Sequence, residues 1–276
     1  MSLRLISLNA VKSKLGLNAT TLKILAIILM VFDHIHQMWA HSGAPMWLTC
    51  LGRPVFPMFL FAMSESFHYT HSRKAFLKRL LFASWFMTVF NTVLQYILPN
   101  SDIVLMNSAF STFFIAGLYM LFYDMLIDGI KTKKAGKIVA AILLCLLPIL
   151  TSLPALFVAN LANNDTFSPL AIRIMLTACF LLPNILLVEG SFVIVALGVL
   201  FYALRKWRWA QIAVLAALSA LVFINGNGAD IQWLMVFAAI PMLLYNGEKG
   251  RGMKNFFYIF YPAHIYLLYI IATLWK

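Results

Sequence analysis

Long apolar runs separated by short polar stretches make up most of this chain. Most of these runs are long enough to cross a bilayer core about 30 Å thick as a helix. We interpret nine runs as membrane-spanning helices, at about 21–40, 45–66, 77–98, 103–126, 138–157, 188–204, 209–224, 232–245 and 255–275. The pattern predicts an all-α, polytopic transmembrane helical bundle that forms a single domain over residues 1–276, with residues 1–20 as a cytoplasmic amphipathic arm.

The stretch 158–187 combines a polar segment, NLANNDTFSP, with most of a further apolar run. A span here would place Arg205 and Lys206 outside, against the positive-inside rule. We therefore predict a re-entrant or surface-lying segment on the outer side. With about nine spans and the amino terminus inside, the carboxyl terminus lies outside. All but three of the 21 Lys and Arg residues then fall on the inner side, the exceptions being Arg53, Arg173 and Lys276.

The composition supports the membrane assignment and argues against a nucleic-acid-binding or metal-binding function. The chain is 63% hydrophobic and only 11% charged, whereas soluble domains carry about 25% charged residues. The net charge of +12 does not indicate a nucleic-acid partner, because the basic residues lie between apolar runs instead of forming one patch. The three cysteines show no pairing or metal-ligand spacing, so we expect no metal site.

Several ionisable residues lie inside the apolar runs, where a charge costs about 2.5 kcal/mol or more. Asp33 and His34 lie in the first run, Arg53 in the second and His264 in the last. Helix rise places these residues near the middle of the membrane. Such a cluster indicates a functional site, although an Asp–His pair that only holds helices together is the alternative. We expect Asp33 to pair with Arg53, which leaves His34 able to take a proton near neutral pH.

Other polar residues allow two interpretations. The basic residues near the inner ends of the first three helices are primarily topology determinants, and secondarily a candidate phosphate-binding patch; they are Lys23, Arg73, Lys74, Lys78 and Arg79. Glu189 opens the run at 188–204, where it is either an acid at a helix N-terminus or a substrate contact. Asn107 lies inside the fourth run, nearer the outer face.

Three segments resemble the TraX family, whose founding member is implicated in N-terminal acetylation of F-type pilin. They are TLKILAIILMVFDHIHQ, LGRPVFPMFLFAMSESF and FYIFYPAHIYLLY. The family pattern has a lysine eleven positions before the His of an Asp-His pair, then Gly-Arg-x-x-Phe-Pro, then a late Phe-Tyr-x-x-His. This pattern matches Lys23, Asp33, His34, Gly52, Arg53, Phe56, Pro57, Phe260, Tyr261 and His264. Asn107 resembles a family asparagine, and the stretch 158–187 looks like an insertion.

The resemblance implies a membrane acetyltransferase, within the wider group of transmembrane acyltransferases, in a bacterial inner membrane. Cytoplasmic acetyl-CoA would be the donor, and the acceptor would be an extracytoplasmic amine or hydroxyl, such as a pilin N-terminus or a surface glycan. His34 would act as general base or transient acetyl carrier, Asp33 would orient it or pair with Arg53, and Arg53 or His264 would stabilise the oxyanion.

In the same interpretation, the donor would contact the phosphate-binding patch and Tyr261, and the acceptor would contact Asn107 and Glu189. The lipid bilayer is a partner, and a homodimer is one of the oligomeric states that the sequence allows.

Two alternatives come from other functional classes. A proton-coupled transporter or permease uses intramembrane Asp, His and Arg residues equally well, but the chain shows no internal repeat of the kind such proteins often contain. A non-catalytic assembly subunit of an exporter or pilus would tolerate substitution of His34 and His264.

Overall fold

A computed structural model describes residues 16–161 and 167–275. The structure is 77% helix, and the described residues contain no strand beyond one isolated bridge between Leu17 and Tyr245. The predicted all-α class is confirmed. Most of the predicted arm, and residues 162–166 of the predicted outer segment, lie outside the described residues. The described chain divides into two compact units, drawn from Met1–Glu65 with Leu204–Lys276 and from Ser66–Ala203.

The first unit contains the first and last helices of the described residues. Its helices are α1 (Ala19–Trp39), α2 (Met46–Gly52), α3 (Val55–Tyr69, whose end enters the second unit), α10 (Arg208–Asn225), α11 (Ala239–Leu244) and α12 (Lys254–Leu274). A 3-10 helix, Ile231–Ala238, precedes α11. α1 packs against α2 and α12, and α10 packs against the 3-10 helix. These contacts bring the three segments that carry the family motifs into one unit.

The second unit is built around one long helix. Its helices are α4 (Arg73–Ile97), α5 (Ala109–Lys131), α6 (Ala135–Leu150), α7 (Leu153–Leu161), α8 (Pro169–Phe180) and α9 (Ser191–Ala203). α5 packs against α4, α6 and α9, while α8 packs against α4 and α7. The buried face of α5 is lined by small and aromatic residues, including Gly117, Phe110 and Phe114.

Within the described residues, seven helical segments are long and apolar enough to cross a membrane, which identifies a multi-pass membrane protein. Three shorter apolar helices lie at Pro169–Phe180, Ser191–Ala203 and Ile231–Leu244. The count of nine spans and the orientation stay predictions. At 12 residues, Pro169–Phe180 is about 18 Å long and does not reach across a core of about 30 Å by itself, as expected for a re-entrant or surface segment.

Four predicted helices were wrong in detail. The run at 138–157 is divided between α6 and α7, and the first half of the run at 232–245 forms the 3-10 helix. The run at 45–66 is broken between α2 and α3, where Pro54 has no N–H to donate to a helical hydrogen bond. The predicted helix at 103–126 starts only at Ala109. Gln95 holds the preceding segment in an irregular conformation, since its side chain binds both the N–H and the carbonyl of Leu105.

Candidate active site

Two histidines from opposite ends of the chain meet in the first unit. His34 on α1 and His264 on α12 are 230 residues apart in sequence, yet His34 Nδ1 lies 2.7 Å from His264 Nε2. Their ring centroids are 4.9 Å apart. Only 5% of His34 and 8% of His264 are exposed. The two residues therefore form a buried, hydrogen-bonded imidazole pair, which we call the His dyad.

The surroundings of His264 determine which nitrogens carry protons. His264 Nδ1 lies 2.8 Å from the carbonyl oxygen of Phe260, and a carbonyl only accepts, so this nitrogen carries a hydrogen. In a neutral ring the other nitrogen, Nε2, is then an acceptor. His34 must donate to it through Nδ1–H, which leaves the lone pair of neutral His34 on Nε2. The dyad therefore presents His34 as a base with a defined tautomer.

Asp33 and Arg53 form the expected ion pair, with Arg53 Nη2 2.6 Å from Asp33 Oδ1. Thr49 donates to the same carboxylate oxygen (2.7 Å). Arg53 also donates to the carbonyl and hydroxyl oxygens of Thr49 and to the side-chain oxygen of Gln232. These contacts use four of the five N–H groups of the guanidinium, so the fifth can bind an added acceptor.

The break between α2 and α3 places this arginine. Arg53 follows the last residue of α2 directly, so its side chain leaves at the point where the helix stops. Gly52 allows the close approach to α1, because a Cβ built there would lie 2.3 Å from the Asp33 side chain. Adjacent residues on a helix project about 100° apart. Asp33 can therefore contact α2 while His34 contacts α12.

Two residues predicted to contact the acetyl-CoA donor lie on α1 and α12 of the same unit. The ring centroid of Tyr261 lies 6.4 Å from that of His34 and 5.9 Å from that of His264. Lys23 lies eleven residues before His34, about 16 Å along α1, and its Nζ is 5.7 Å from the ring centroid of Phe257 on α12. Lys23, Tyr261 and the His dyad thus all lie along the packed helices α1 and α12.

The remaining predicted phosphate contacts belong to the second unit. Arg73 Nη1 forms an ion pair with Asp124 at 2.6 Å, and Tyr202 links the two by accepting from Arg73 and donating to Asp124. Lys74 and Lys78 are exposed. Arg79 lies half-buried, 6.0 Å from the ring centroid of Phe76. Arg73 therefore holds the ends of three helices together, in addition to any ligand contact.

Asn107 and Glu189 each make a hydrogen bond near the start of α5, also in the second unit. The Asn107 carbonyl accepts from Asn91 Nδ2 at 3.0 Å, and Glu189 Oε2 accepts from the backbone N–H of Ser108 at 2.8 Å. Glu189 is thus an acid at a helix N-terminus, one of the two roles expected of it. The helix whose N-terminus it binds is α5 and not α9, which follows it in sequence.

The sequence did not identify Thr49, Gln232 or Asn91 as members of these networks. The contact of Thr49 could be inferred from sequence spacing, because Thr49 lies four residues before Arg53 and shares its helix face. The contacts of Gln232 and Asn91 could not be inferred in this way, since their partners are distant in sequence. The described residues contain no group of three or more His, Cys, Asp or Glu that could hold a metal ion.

Comparison with known proteins agrees with this arrangement of motifs. A family model described as TraX protein matches residues 18–272, so the match also includes the middle of the chain, between the segments that carry the family motifs. A search of the curated proteins and a search of the solved structures found no match. The matched region covers nearly the whole chain and includes the His dyad and the Asp33–Arg53 pair. The chain therefore belongs to the TraX family, which is associated with pilin acetylation.

Proposed function

We propose that this protein is a membrane-embedded acetyltransferase. It transfers an acetyl group from cytoplasmic acetyl-CoA to an amine or hydroxyl on the extracytoplasmic side of a bacterial inner membrane. The observation that carries the proposal is the 2.7 Å contact between the two histidines, together with the bond that fixes the second nitrogen of His264. Acyl transfer requires a positioned base and a group that stabilises the oxyanion. A buried histidine with a fixed tautomer and a nearby charged arginine supply these two functions.

His34 is the general base in this mechanism. Its Nε2 takes the proton from the acceptor amine or hydroxyl while the acceptor attacks the thioester carbonyl carbon. The tetrahedral oxyanion collapses, the carbon–sulfur bond breaks, and His34 returns the proton to the CoA thiolate. His264 accepts the Nδ1–H of His34 throughout, so it positions the base and helps to hold the imidazolium.

Arg53 supplies the electrostatic part of the proposal. Its guanidinium is bonded to Asp33, the residue next to His34, and its remaining N–H can donate to the oxyanion. Asp33 and Thr49 fix the orientation of Arg53 before any substrate arrives, which is the preorganisation that makes an oxyanion contact effective. His264 has both nitrogens engaged by His34 and Phe260, so we assign the oxyanion role to Arg53 and not to His264.

Lys23 and Tyr261 belong to the donor side of the same unit. Lys23 is the cation for a donor phosphate, and Tyr261 lies against the dyad where the acyl end would arrive. The acceptor is a pilin N-terminus or a surface glycan. Contacts of Lys74, Lys78 and Arg79 with the donor, and of Asn107 and Glu189 with the acceptor, stay predictions.

Transfer of radiolabel tests the proposal. Membrane vesicles from the native host would be supplied with acetyl-CoA labelled in the acetyl group, and label bound to non-volatile acceptor would be measured. His34→Ala should reduce incorporation by about 100-fold or more, the usual contribution of a positioned base. His41→Ala is the matched control, because His41 is exposed and should leave incorporation unchanged. Normal incorporation by the His34 variant, at equal protein level, would refute the assignment.

A further inference from the structure

A glycine-rich basic loop lies at the start of both helices that carry the His dyad. The loop, residues 246–253, has the sequence NGEKGRGM and is followed directly by Lys254, the first residue of α12. We call it the basic loop. With Lys23 and Lys254 it brings together four positive charges against the single negative charge of Glu248.

Backbone and side-chain bonds fix the basic loop against the start of α1. Leu17 accepts from the N–H of Asn246, and Ala19 donates to the carbonyl of Glu248 (2.8 Å). The Thr20 hydroxyl lies 2.6 Å from the carbonyl oxygen of Arg251 and 3.1 Å from that of Lys249. These bonds order a segment that its exposed, polar sequence alone would leave free to move.

The consequence is a local excess of positive charge. The loop that carries Lys249 and Arg251 is bonded to the first turn of α1, about one turn before Lys23, where the helix dipole is also positive. Repulsion between like charges opposes folding unless an anion binds at the same place. The arrangement is therefore one that attracts a phosphate group.

One glycine of the basic loop has no explanation in the packing. Gly247 and Gly250 have φ values of +86° and +68°, and a Cβ on Gly250 would collide with the Asn18 side chain. Gly252 differs, since its φ is ordinary and a Cβ there would meet nothing within 4 Å. Without a side chain, Gly252 leaves its backbone open to close approach by a ligand.

Distances along the two helices relate the basic loop to the His dyad. Lys23 precedes His34 by eleven residues and Lys254 precedes His264 by ten, which correspond to about 16 Å and 15 Å of helix. The two helices start at the same loop and their histidines meet at 2.7 Å. A ligand with phosphates at one end and a reactive group on a long flexible arm would fit both positions.

We propose that the basic loop, through Lys249, Arg251 and the backbone at Gly252, binds the phosphate groups of the acyl-CoA donor. The inference rests on the proposed function and adds a phosphate subsite to it within the first unit. It also gives the donor a direction, with its nucleotide at the loop and its thioester toward the His dyad.

The test is CoA binding to the purified full-length protein in detergent, measured by calorimetry. Replacing Lys249 and Arg251 together by Gln should weaken CoA binding at least roughly tenfold, because two charge-assisted contacts are lost. The matched control replaces Lys131, at the end of α5, and Lys134, just before α6, which are both exposed. It should leave the CoA dissociation constant within about twofold of the native value.

Glycine variants test the backbone contact separately. Gly252→Ala should fold normally and still weaken CoA binding, whereas Gly136→Ala, which also meets nothing within 4 Å at an ordinary φ, should change neither. Native CoA affinity in the doubly charge-neutralised protein would overturn the phosphate assignment while leaving the acetyltransferase proposal intact. If the unaltered, folded protein does not bind CoA, both proposals are refuted.

An anionic lipid headgroup offers the same phosphate chemistry, and a second arm distinguishes it. The native protein and the Lys249/Arg251 variant would be placed in nanodiscs of phosphatidylcholine with and without phosphatidylglycerol. Our proposal predicts that the variant loses CoA affinity in both lipid compositions. Unchanged CoA binding combined with reduced enrichment of phosphatidylglycerol around the variant would assign the loop to lipid and overturn the proposal.

Discussion

Replacing His264 tests whether the second histidine acts through the first. In the dyad, His264 Nε2 accepts from His34 Nδ1, so His264→Ala removes the acceptor and leaves a buried donor without its partner. An unsatisfied buried donor costs about 1–3 kcal/mol. Loss of this hydrogen bond also removes a similar free energy that favours the His34 tautomer with its lone pair on Nε2. Since about 1.4 kcal/mol is a factor of ten, we expect acetyl incorporation to fall by about 10- to 100-fold.

A conservative variant separates this role from packing. His264→Gln can place its amide oxygen near the position of Nε2 and its amide nitrogen toward the Phe260 carbonyl, so it retains an acceptor for His34. Incorporation by the Gln variant should recover most of what the Ala variant loses. The Gln variant should also keep a higher thermal unfolding midpoint than the Ala variant, because Ala leaves a cavity between α1 and α12 and an unpaired buried donor on His34.

The double variant provides the decisive comparison. If His264 acts only through His34, adding His264→Ala to His34→Ala should lower incorporation no further, since residues that act as a unit are not additive. The assay is the vesicle incorporation of labelled acetyl groups described above, with protein level checked by immunoblot. A double variant that is slower than His34→Ala by the full factor of the second substitution would refute the positioning role of His264.

Three further substitutions probe the network around the dyad and the second unit. Gly52→Ala should lower the thermal unfolding midpoint in detergent, by overpacking against Asp33 worth about 1–3 kcal/mol, whereas Gly136→Ala should not. Arg53→Lys should reduce acetyl incorporation more than it reduces stability, because one ammonium cannot replace the forked contacts of the guanidinium; equal incorporation at equal expression would contradict this. Tyr202→Phe should destabilise the protein by about 1–3 kcal/mol, seen in the same unfolding assay, with retained CoA binding.

Much of the first unit could be predicted because membrane burial restricts where polar residues occur. A charge in an apolar run needs a partner, and this requirement alone selected Arg53 for Asp33. Depth along each helix, from a rise of about 1.5 Å per residue, placed His34 and His264 at the same level. The periodicity of the sequence could not give their hydrogen bond, because helix rotation about its own axis is set by packing against its neighbours.

In the second unit, the pattern of charges along the sequence does not predict the partners of the charged residues. Arg73 resembled part of a uniform basic cluster, yet its guanidinium pairs with Asp124 on α5 and contacts Tyr202 on α9. The sequence separates these residues widely, and no periodic signal connects them. Glu189 was assigned to the helix that follows it, whereas it binds the N-terminus of α5. Both differences arise because contacts between helices depend on tertiary packing, which local patterns do not encode.

The charges of the site explain why its base is oriented by a neutral partner. Asp33 and Arg53 cancel each other, and with neutral histidines the four residues carry no net charge. A second carboxylate behind His34 would add an uncompensated anion to a water-poor interior, at a cost that its hydrogen bond does not offset. His264 fixes the tautomer without that cost. When His34 takes the acceptor proton, the new positive charge forms together with the negative oxyanion at Arg53, so charge separation stays internal to the site throughout the transfer.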